Sequence, residues 1–272
     1  MTPDNLLPTV YAAPQFISDP SECVFYHTTE LPGFGVQHGP WDLRGSFRDY
    51  MGDVVCTGKR VLDIGCASGF LSFSAEQDGA SEVVSFDMDN ASRQHLLPFQ
   101  EKAYFRDHEA WVAAQTAFIE KWHKGYWLTH RLLNSKAKMV YGDVYNLPEA
   151  IGVFDIVIVG AVLEHLSDPI RALASIARHA TGTIVINTDM LETEDRIARF
   201  DGHADFPETD YVFWTYSLGT YRHILAMLGF DIVQAEKRHF RFEPRNDVFP
   251  RTAIVAERRR PLVQGGAFGS PP

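Results

Sequence analysis

Three acidic residues and a turn of small residues have a spacing suited to binding a ligand. Asp63 lies in a short apolar segment, which is followed by Gly65, Ala67 and Gly69. Small residues let a ligand approach the backbone closely, because no side chain stands in the way. Asp87 ends the next apolar segment at about 20 residues past the turn, where dinucleotide-binding folds place an acid on a ribose diol. Asp143 follows a third apolar segment. Acids at three strand ends therefore predict a site for a ribose-containing ligand.

The stretch Asp63-x-Gly65-x-Ala67-x-Gly69 resembles motif I of the class I S-adenosylmethionine (SAM) dependent methyltransferases, whose usual form is D/E-x-G-x-G-x-G. Ala67 stands in place of the middle glycine. The resemblance covers residues 57–257. It implies an α/β fold with a doubly wound, seven-stranded, Rossmann-like sheet, with SAM as cofactor and S-adenosylhomocysteine (SAH) as product. A loop that only packs a strand against a helix is the alternative for the glycine turn taken alone.

Other segments extend the resemblance to the rest of a SAM site. It implies that Asp87 binds the ribose, that Met88 lies against the adenine, and that Asp143 accepts a hydrogen bond from the adenine amino group. The alternatives are a helix N-cap for Asp87 and a turn for Asp143. Arg44 is predicted to pair with the SAM carboxylate. The predicted cofactor-binding residues are Arg44, Asp63, Gly65, Cys66, Ala67, Gly69, Phe70, Asp87, Met88, Asp143, Val144, Gly160 and Ala161.

Methyl transfer from a sulfonium needs mainly proximity, alignment and a pocket with little water. A general base helps only when the acceptor atom must lose a proton. His165 is the first candidate for that base, because it follows a strand end near the expected sulfonium; a structural histidine is the alternative. His27 and His130 come next. The predicted substrate-binding residues are Tyr26, His27, Trp41, Trp127, His130 and Trp214, with packing of the leader and the insertion as the alternative.

The elements that must position these residues can be read from the apolar periodicity. Residues 57–257 are predicted to form the SAM-binding domain. Residues 90–137 exceed an ordinary connection of ~2–6 residues, so they predict a helical insertion after the second strand, built from two or three segments. Residues 1–56 are predicted to be an irregular leader or cap, since prolines interrupt them. Residues 258–272 are predicted to be a disordered tail.

Composition restricts the partners of the protein. The chain has 272 residues, of which 45% are hydrophobic, and a formal net charge of -10. Such a charge argues against a broad basic surface, so a nucleic-acid partner is not expected. Three cysteines without metal-type spacing predict neither disulfides nor a metal site, in keeping with a cytoplasmic protein. No apolar run approaches the ~20 residues that span a bilayer. A monomer or a homodimer is expected.

We therefore expect a SAM-dependent methyltransferase that acts on O or N of a small-molecule metabolite, with secondary metabolism as one setting. Trp41-Asp42-Leu43-Arg44-Gly45, ahead of motif I, resembles a poorly characterised bacterial branch of the family. Three alternatives stay open. They are a relative of the tRNA wobble-uridine carboxymethyltransferases that uses SAM or a carboxylated SAM, a SAM-binding enzyme with other chemistry, and a non-enzymatic binding module. The intact acids and glycines argue against the last.

Overall fold

The computed structural model describes residues 10–97, 106–203 and 211–260. Its strands are β1 Thr29–Leu31, β2 Gly35–Gln37, β3 Trp41–Asp42, β4 Arg60–Ile64, β5 Glu82–Asp87, β6 Lys138–Tyr141, β7 Phe154–Gly160, β8 Ala180–Thr188, β9 Ala198–Phe200, β10 Trp214–Tyr216, β11 Phe230–Phe242 and β12 Asp247–Arg258. Its α-helices are α1 Phe47–Tyr50, α2 Phe70–Gln77, α3 His108–Leu132, α4 Pro169–Ala177 and α5 Leu218–Met227.

The central sheet of the described residues has the order β3-β11-β12-β8-β7-β4-β5-β6. Strands β6, β5, β4, β7 and β8 run parallel, whereas β12, β11 and β3 continue the sheet in antiparallel pairing. The order reverses between β4 and β7, and a doubly wound sheet binds ligands outside the carboxyl ends of the strands at such a point. The fold therefore places the end of β4 and the end of β7 side by side.

Successive residues of β4 face opposite sides of the sheet, as the two-residue period of a strand requires. Leu62 packs into a core with Leu173 of α4 and Leu225 of α5. Val61 packs into a second core with Phe73 of α2 and Tyr126 of α3. Burial on both faces explains the nearly continuous apolar runs of the central strands. The predicted doubly wound α/β fold is confirmed.

The sheet has one strand more than the seven expected, and the extra strand comes from the leader. Trp41 and Asp42 pair with Phe242 and Arg241 at the edge of the sheet. The leader also forms the β1–β2 hairpin, so it is less irregular than its prolines suggest. Residues 1–9 lie outside the described residues.

In the described part of the insertion a short 3₁₀ turn, Ala91–Arg93, precedes one long helix. Helix α3 has 25 residues and passes through Trp122 and Gly125, where the sequence pattern predicts a break. Glycine lowers helix stability. Here a Cβ on Gly125 would lie 2.7 Å from the carbonyl oxygen of Val24, so the glycine lets the leader pack directly on the helix. The predicted break after Trp122 is corrected. Residues 98–105 of the insertion lie outside the described residues.

The carboxyl-terminal strands are longer than the sequence pattern indicates. Strands β11 and β12 have 13 and 12 residues and pair along their length as one antiparallel hairpin. Strand β12 ends at Arg258, where the tail was expected to begin, and residues 261–272 lie outside the described residues. No helix in the described part of the chain combines the length and the apolarity needed to cross a membrane.

Candidate functional site

A cavity of about 340 Å³ lies at the carboxyl ends of the parallel strands β4, β5, β6 and β7. It is bounded by the turn after β4, the end of β7, the leader and helix α3. Half of the residues predicted for the site line it, namely Tyr26, His27, Gly65, Ala67, Asp87, Met88, Val144, Gly160, Ala161 and His165. The fold therefore brings together residues that are far apart in the sequence.

The turn after β4 has the backbone conformation that its small residues permit. Gly65 has φ of 72° and Ala67 has φ of 48°, both in the left-handed region. A Cβ on Gly65 would lie 2.5 Å from Cγ2 of Val162, so a larger residue does not fit there. A non-glycine residue in this region costs roughly 1–2 kcal/mol. The backbone N–H of Ala67 donates to Oδ2 of Asp87 at 2.6 Å, which offsets part of that cost.

Asp87 connects the end of β5 to this turn. Its side chain is buried, and its other oxygen, Oδ1, accepts from the backbone N–H of Met88 at 2.8 Å. Burial raises the pKa of the Asp87 carboxyl, and the nearby His123 ring acts in the opposite direction. An ionised carboxylate offers about four lone-pair sites. Two backbone donors therefore leave room for further donors from a ligand.

Asp63 lies beneath the turn at the end of a buried series of hydroxyl groups. Ser72 donates to Oδ2 of Asp63 at 2.6 Å, Ser85 donates to Ser72 at 2.7 Å, and the Tyr126 hydroxyl lies 3.0 Å from Ser85. Burial raises the pKa of Asp63 to about 7, and the Ser72 hydroxyl limits the rise. Its Oδ1 is buried with no hydrogen-bond partner in the described residues. Asp63 does not itself line the cavity.

Asp143 also stands behind the cavity wall, which is formed there by Gly142 and Val144. Its Oδ1 accepts from the backbone N–H of Tyr145 at 2.8 Å and lies 2.7 Å from Nε2 of His95. Burial opposes these contacts, but the net effect of the Tyr145 amide and the His95 ring is to lower the pKa of Asp143. This carboxylate is already engaged by a side chain of the insertion.

The end of β7 leaves little space above the sheet. A Cβ on Gly160 would lie 2.8 Å from the Tyr50 hydroxyl and 3.0 Å from Cδ1 of Leu71. Ala161 follows with φ of 50°, and its backbone N–H donates to the carbonyl of Asn187 at 2.8 Å. Like Ala67, Ala161 is a small residue in a left-handed conformation beside the cavity.

His165 ends a short 3₁₀ turn, Leu163–His165, and lines the cavity. Its Nδ1 lies 3.0 Å from the backbone carbonyl oxygen of Tyr211. A carbonyl oxygen can only accept a hydrogen bond, so Nδ1 carries the proton and, in the neutral ring, Nε2 keeps its lone pair. The turn thus holds an imidazole in the tautomer that can accept a proton at Nε2.

The leader supplies one wall of the cavity. The backbone N–H of Tyr26 donates to Oγ of Ser68 at 3.0 Å, which ties the leader to the turn after β4. His27 packs against Phe70, with ring centroids 5.4 Å apart. Burial lowers the pKa of His27 to about 3, so its ring is neutral near pH 7. Nδ1 of His27 is buried and has no partner among the residues that the structure describes.

Trp127 and His130 of the insertion, both predicted to bind substrate, lie outside the cavity lining. Trp127 is 1% exposed, and its Nε1 donates to the Tyr141 hydroxyl at 3.1 Å. His130 contacts the carbonyl oxygen of Ala137 through Nε2 at 3.0 Å. Neither side chain lines the cavity, and both contacts hold the insertion against β6 and the segment that precedes it.

Three further predicted residues also lie away from the cavity. Trp41 packs on Phe242 of β11 with centroids 4.9 Å apart, and Trp214 packs on Phe200 of β9 at 5.2 Å. The Arg44 guanidinium forms two hydrogen bonds with Asp42, at 2.9 and 2.7 Å. The predicted residues that do not line the cavity are Arg44, Asp63, Cys66, Gly69, Phe70, Asp143, Trp41, Trp127, His130 and Trp214.

Sequence reasoning missed other residues of the wall. Trp122 of α3 lies at the cavity, although the pattern indicates that it only closes a helical segment. A buried ion pair stands directly behind His165, with Oε1 of Glu164 2.7 Å from Nη1 of Arg251. The other lining residues that were not predicted are Ile64, Leu71, Phe86, Arg93, Gln94, Leu96, Gly142, Val162, Leu166 and Tyr211.

Comparisons with known proteins agree with this geometry. A family described as "Methyltransferase domain" matches residues 45–235. A solved structure of magnesium protoporphyrin IX methyltransferase from Synechocystis PCC 6803 with bound SAH shares the fold, with a TM-score of 0.50, 16% identity, and coverage of 79% of this chain and 81% of that one. A candidate RNA methyltransferase from Pyrococcus horikoshii has a TM-score of 0.50 at 14% identity, over 79% of this chain and 84% of that one.

One curated relative also matches. A tRNA U34 carboxymethyltransferase from Campylobacter hominis is 28% identical over 145 residues, which are 53% of this chain and 40% of the relative. The match thus spans well under half of that protein. The family match, by contrast, spans most of the chain and includes the turn after β4, the acids and the end of β7. The chain therefore belongs to the methyltransferase domain family and has the fold of the class I SAM-dependent methyltransferases.

Proposed function

We propose that the protein transfers a methyl group from SAM to an oxygen or nitrogen atom of a small-molecule acceptor. SAM is the cofactor of the class I family. The observation that carries the proposal is the pairing of two features across one cavity. Asp87 lines this cavity and accepts a hydrogen bond from the small-residue turn. His165 lines the same cavity, and its tautomer is fixed through Nδ1, so Nε2 keeps its lone pair.

The residues present fit the cofactor. The volume of about 340 Å³ lies in the range of roughly 300–1,000 Å³ typical of small-molecule pockets. Gly65 and Gly160 line the cavity, and a Cβ on either would collide with Val162 or with Tyr50, so larger residues do not fit at these two positions. Asp87 would accept hydrogen bonds from the ribose hydroxyls, and Met88 and Val144 would lie against the adenine. Gly160 and Ala161 would lie beside the methionine portion.

The chemistry that SAM supplies when bound is an electrophilic methyl group on a positively charged sulfur. The protein's own contribution is to align the acceptor and to keep water away from it. Tyr26 and His27 of the leader and Trp122 of α3 contribute to the wall of the cavity. Where the acceptor atom carries a proton, Nε2 of His165 is placed to accept it.

Two observations favour a small acceptor. The leader and α3 narrow the cavity, and the chain carries a net charge of -10, which does not suit a polyanionic partner. The curated relative supports the alternative, a tRNA-modifying enzyme that uses a carboxylated SAM. An added carboxylate would need a cation. Among the described lining residues one carries a guanidinium, Arg93, and that group already pairs with Asp89 at 3.2 Å.

The first test is calorimetric titration of the purified protein with SAM and SAH. A matched pair of glycine variants reports on the site. Gly65→Ala introduces a Cβ at φ of 72° against Val162, whereas Gly58→Ala introduces one at φ of 73° with no atom within 4 Å. Backbone strain is therefore similar in both variants. We expect Gly65→Ala to lower SAM affinity at least tenfold and Gly58→Ala to leave it within about twofold.

Equal SAM affinity in Gly65→Ala and the unchanged protein would contradict the proposed cofactor position. Transfer of labelled methyl from SAM is then compared for small-molecule fractions and for total tRNA. Label that appears only in tRNA, with binding that falls steeply as salt is raised, would establish the alternative function.

A further inference from the structure

Residues 91–96 form a short segment along the cavity, which we call the strap. The buried side chains of Ala91 and Leu96 belong to an apolar cluster of the insertion, and Met88 packs against that cluster. Three residues of the strap line the cavity, namely Arg93, Gln94 and Leu96. The strap therefore supplies the part of the wall next to Met88, where the proposed function places the adenine.

His95 fastens the strap through its side chain and its backbone. Its Nε2 lies 2.7 Å from Oδ1 of Asp143, and a carboxylate can only accept, so the imidazole is the donor. Its ring stacks on Tyr145 with centroids 4.1 Å apart, and its carbonyl oxygen accepts from the backbone N–H of Ser167 at 2.9 Å. His95 has φ of 54°, a conformation that a non-glycine residue keeps only where its surroundings hold it. These contacts attach the strap to the segments that follow β6 and β7.

Asp143 serves this attachment and the turn after β6. Its Oδ1 also accepts from the backbone N–H of Tyr145 at 2.8 Å, and its carbonyl oxygen accepts from the backbone N–H of Asn146 at 2.9 Å. The cavity wall at this place consists of Gly142 and Val144. The carboxylate of Asp143 is thus placed to hold the strap from behind the wall.

Gln94 offers the cavity a polar group without a partner. Its Oε1 is buried and accepts no hydrogen bond from any residue that the structure describes. Buried polar atoms are rarely left unsatisfied, so a ligand that brings a donor suits this position. A side-chain amide also carries an NH₂ group that donates. The adenine amino group donates and the ring nitrogen beside it accepts, and one glutamine can bond both at once.

The charges of SAM agree with a neutral partner for the adenine. The sulfonium, the ammonium and the carboxylate all belong to the methionine portion, whereas the adenine ring is uncharged. An amide bonds the adenine edge without a charge buried beside it, since an unpaired buried charge is costly. The Asp143 carboxylate, by contrast, can only accept, and it already has the imidazole of His95 as its partner.

Resting on the proposed function, we infer that Gln94 binds the adenine of SAM, and that His95 and Asp143 are positioning residues that hold the strap in place. Oε1 of Gln94 accepts from the adenine amino group, and its Nε2 donates to the adjacent ring nitrogen, N1 or N7. Asp143 acts through His95 and does not touch the cofactor. This assignment differs from the one that the resemblance implies for Asp143.

The first experiment changes the ligand and leaves the protein unchanged. Calorimetry compares SAH with S-inosylhomocysteine, in which an oxo group replaces the adenine amino group, and with 1-deaza-SAH and 7-deaza-SAH. We expect S-inosylhomocysteine to bind at least tenfold more weakly than SAH, and one of the two deaza analogues to bind at least fivefold more weakly. An acid that only accepts is indifferent to the loss of a ring nitrogen. Equal affinity of SAH and both deaza analogues would therefore overturn the inference.

The second experiment removes the amide. We expect Gln94→Leu to lower the affinity for SAH at least tenfold and to reduce the preference for SAH over S-inosylhomocysteine and over the deaza analogues to within about twofold. Gln77→Leu, an exposed glutamine of α2, is the control and should change neither quantity. A preference for SAH that survives in Gln94→Leu would remove Gln94 from the adenine site.

The third experiment separates positioning from contact. We expect Asp143→Ala and His95→Leu to weaken SAH and S-inosylhomocysteine by the same factor, at least threefold, so that the preference is kept. Asp143→Asn, whose side-chain oxygen still accepts, should restore part of the affinity. The double variant should bind no more weakly than the weaker single variant, because both changes break one contact. Loss of the preference in Asp143→Ala would return Asp143 to the adenine and refute the inference.

The outcomes also distinguish this inference from the proposed function. If neither SAM nor SAH binds the unchanged protein, the proposed function fails. If SAH binds and S-inosylhomocysteine binds equally well, only the role of Gln94 is refuted. Should His95→Leu misfold, the ligand series with the unchanged protein and with Gln94→Leu still decides.

Discussion

The buried ion pair between Glu164 and Arg251 makes a quantitative prediction. The glutamate side chain is 3% exposed and the arginine side chain 18%, with 2.7 Å between Oε1 and Nη1. Oε2 of Glu164 also accepts from Oγ1 of Thr188 at 3.2 Å, and the guanidinium lies over the Trp41 ring at 5.3 Å. The pair thus joins the turn that carries His165 to strand β12 and to the leader.

Removal of one partner leaves the other charge buried and uncompensated, which typically costs 3–5 kcal/mol. We expect Glu164→Gln to lower the free energy of unfolding by about 3 kcal/mol, at the low end of that range, because Arg251 keeps some solvent and the Trp41 face. Arg251→Met strands the more deeply buried carboxylate, so we expect about 4 kcal/mol. The double variant leaves no buried charge, and its loss should be about 3 kcal/mol smaller than the sum of the single losses.

Urea unfolding at pH 7, with linear extrapolation to water, measures these differences. The exposed pair of Arg222 and Glu194, at 3.0 Å with 45% and 63% exposure, supplies a control of the same chemistry. We expect Glu194→Gln to cost less than about 1 kcal/mol. The reasoning is refuted if Glu164→Gln costs no more than Glu194→Gln, or if the losses in the double variant simply add.

Three further predictions concern other residues. Asp87→Asn should weaken SAM binding by at least ~1.5 kcal/mol, about tenfold, because charge-assisted hydrogen bonds are lost, and unchanged affinity in calorimetry would exclude Asp87 from the ribose site. The pKa of Asp63 is raised from an ordinary 3.8 to about 7. At a pH between these two values the folded protein therefore keeps a proton on Asp63 that the unfolded chain has released. Stability should therefore fall as pH rises through that window, and the fall should be smaller in Asp63→Asn when unfolding is followed from pH 4 to 8. Trp127→Ala should lower the free energy of unfolding by about 3–5 kcal/mol and leave the KM for the acceptor nearly unchanged, and a selective rise in KM would restore Trp127 to the substrate site.

The sheet could be predicted from the sequence because its signals are local. Each parallel strand is an apolar run buried on both faces, and Asp63 and Asp87 mark where two of them end. The turn residues Gly65 and Ala67 directly follow β4 in the sequence, so their small size marks the turn. The geometry of the cavity wall along these elements follows from the topology alone.

The remaining parts of the site depend on contacts that no local pattern records. The apolar stripe of α3 does not tell which side of the helix meets the sheet, so the sequence predicts Trp127, and not Trp122, to bind substrate. From the sequence alone Gly125 predicts a break in the helix, whereas in the structure the backbone of Val24 packs on it. Glu164 and Arg251 are 87 residues apart and pair only after the sheet has formed.

The pairing of β3 with β11 has a consequence for how the protein is made. Asp42 pairs with Arg241, which a ribosome adding about 5–20 residues per second delivers roughly 10–40 seconds later. During that interval β3 has no partner strand, although the Tyr26 amide can already donate to Ser68. Every residue that lines the cavity lies at or before Tyr211, whereas β3, which follows Tyr26 and His27 in the leader, has its partner strand in the last hairpin. Shortening the chain ahead of β11 would thus remove the partner of β3 without removing any residue that lines the cavity.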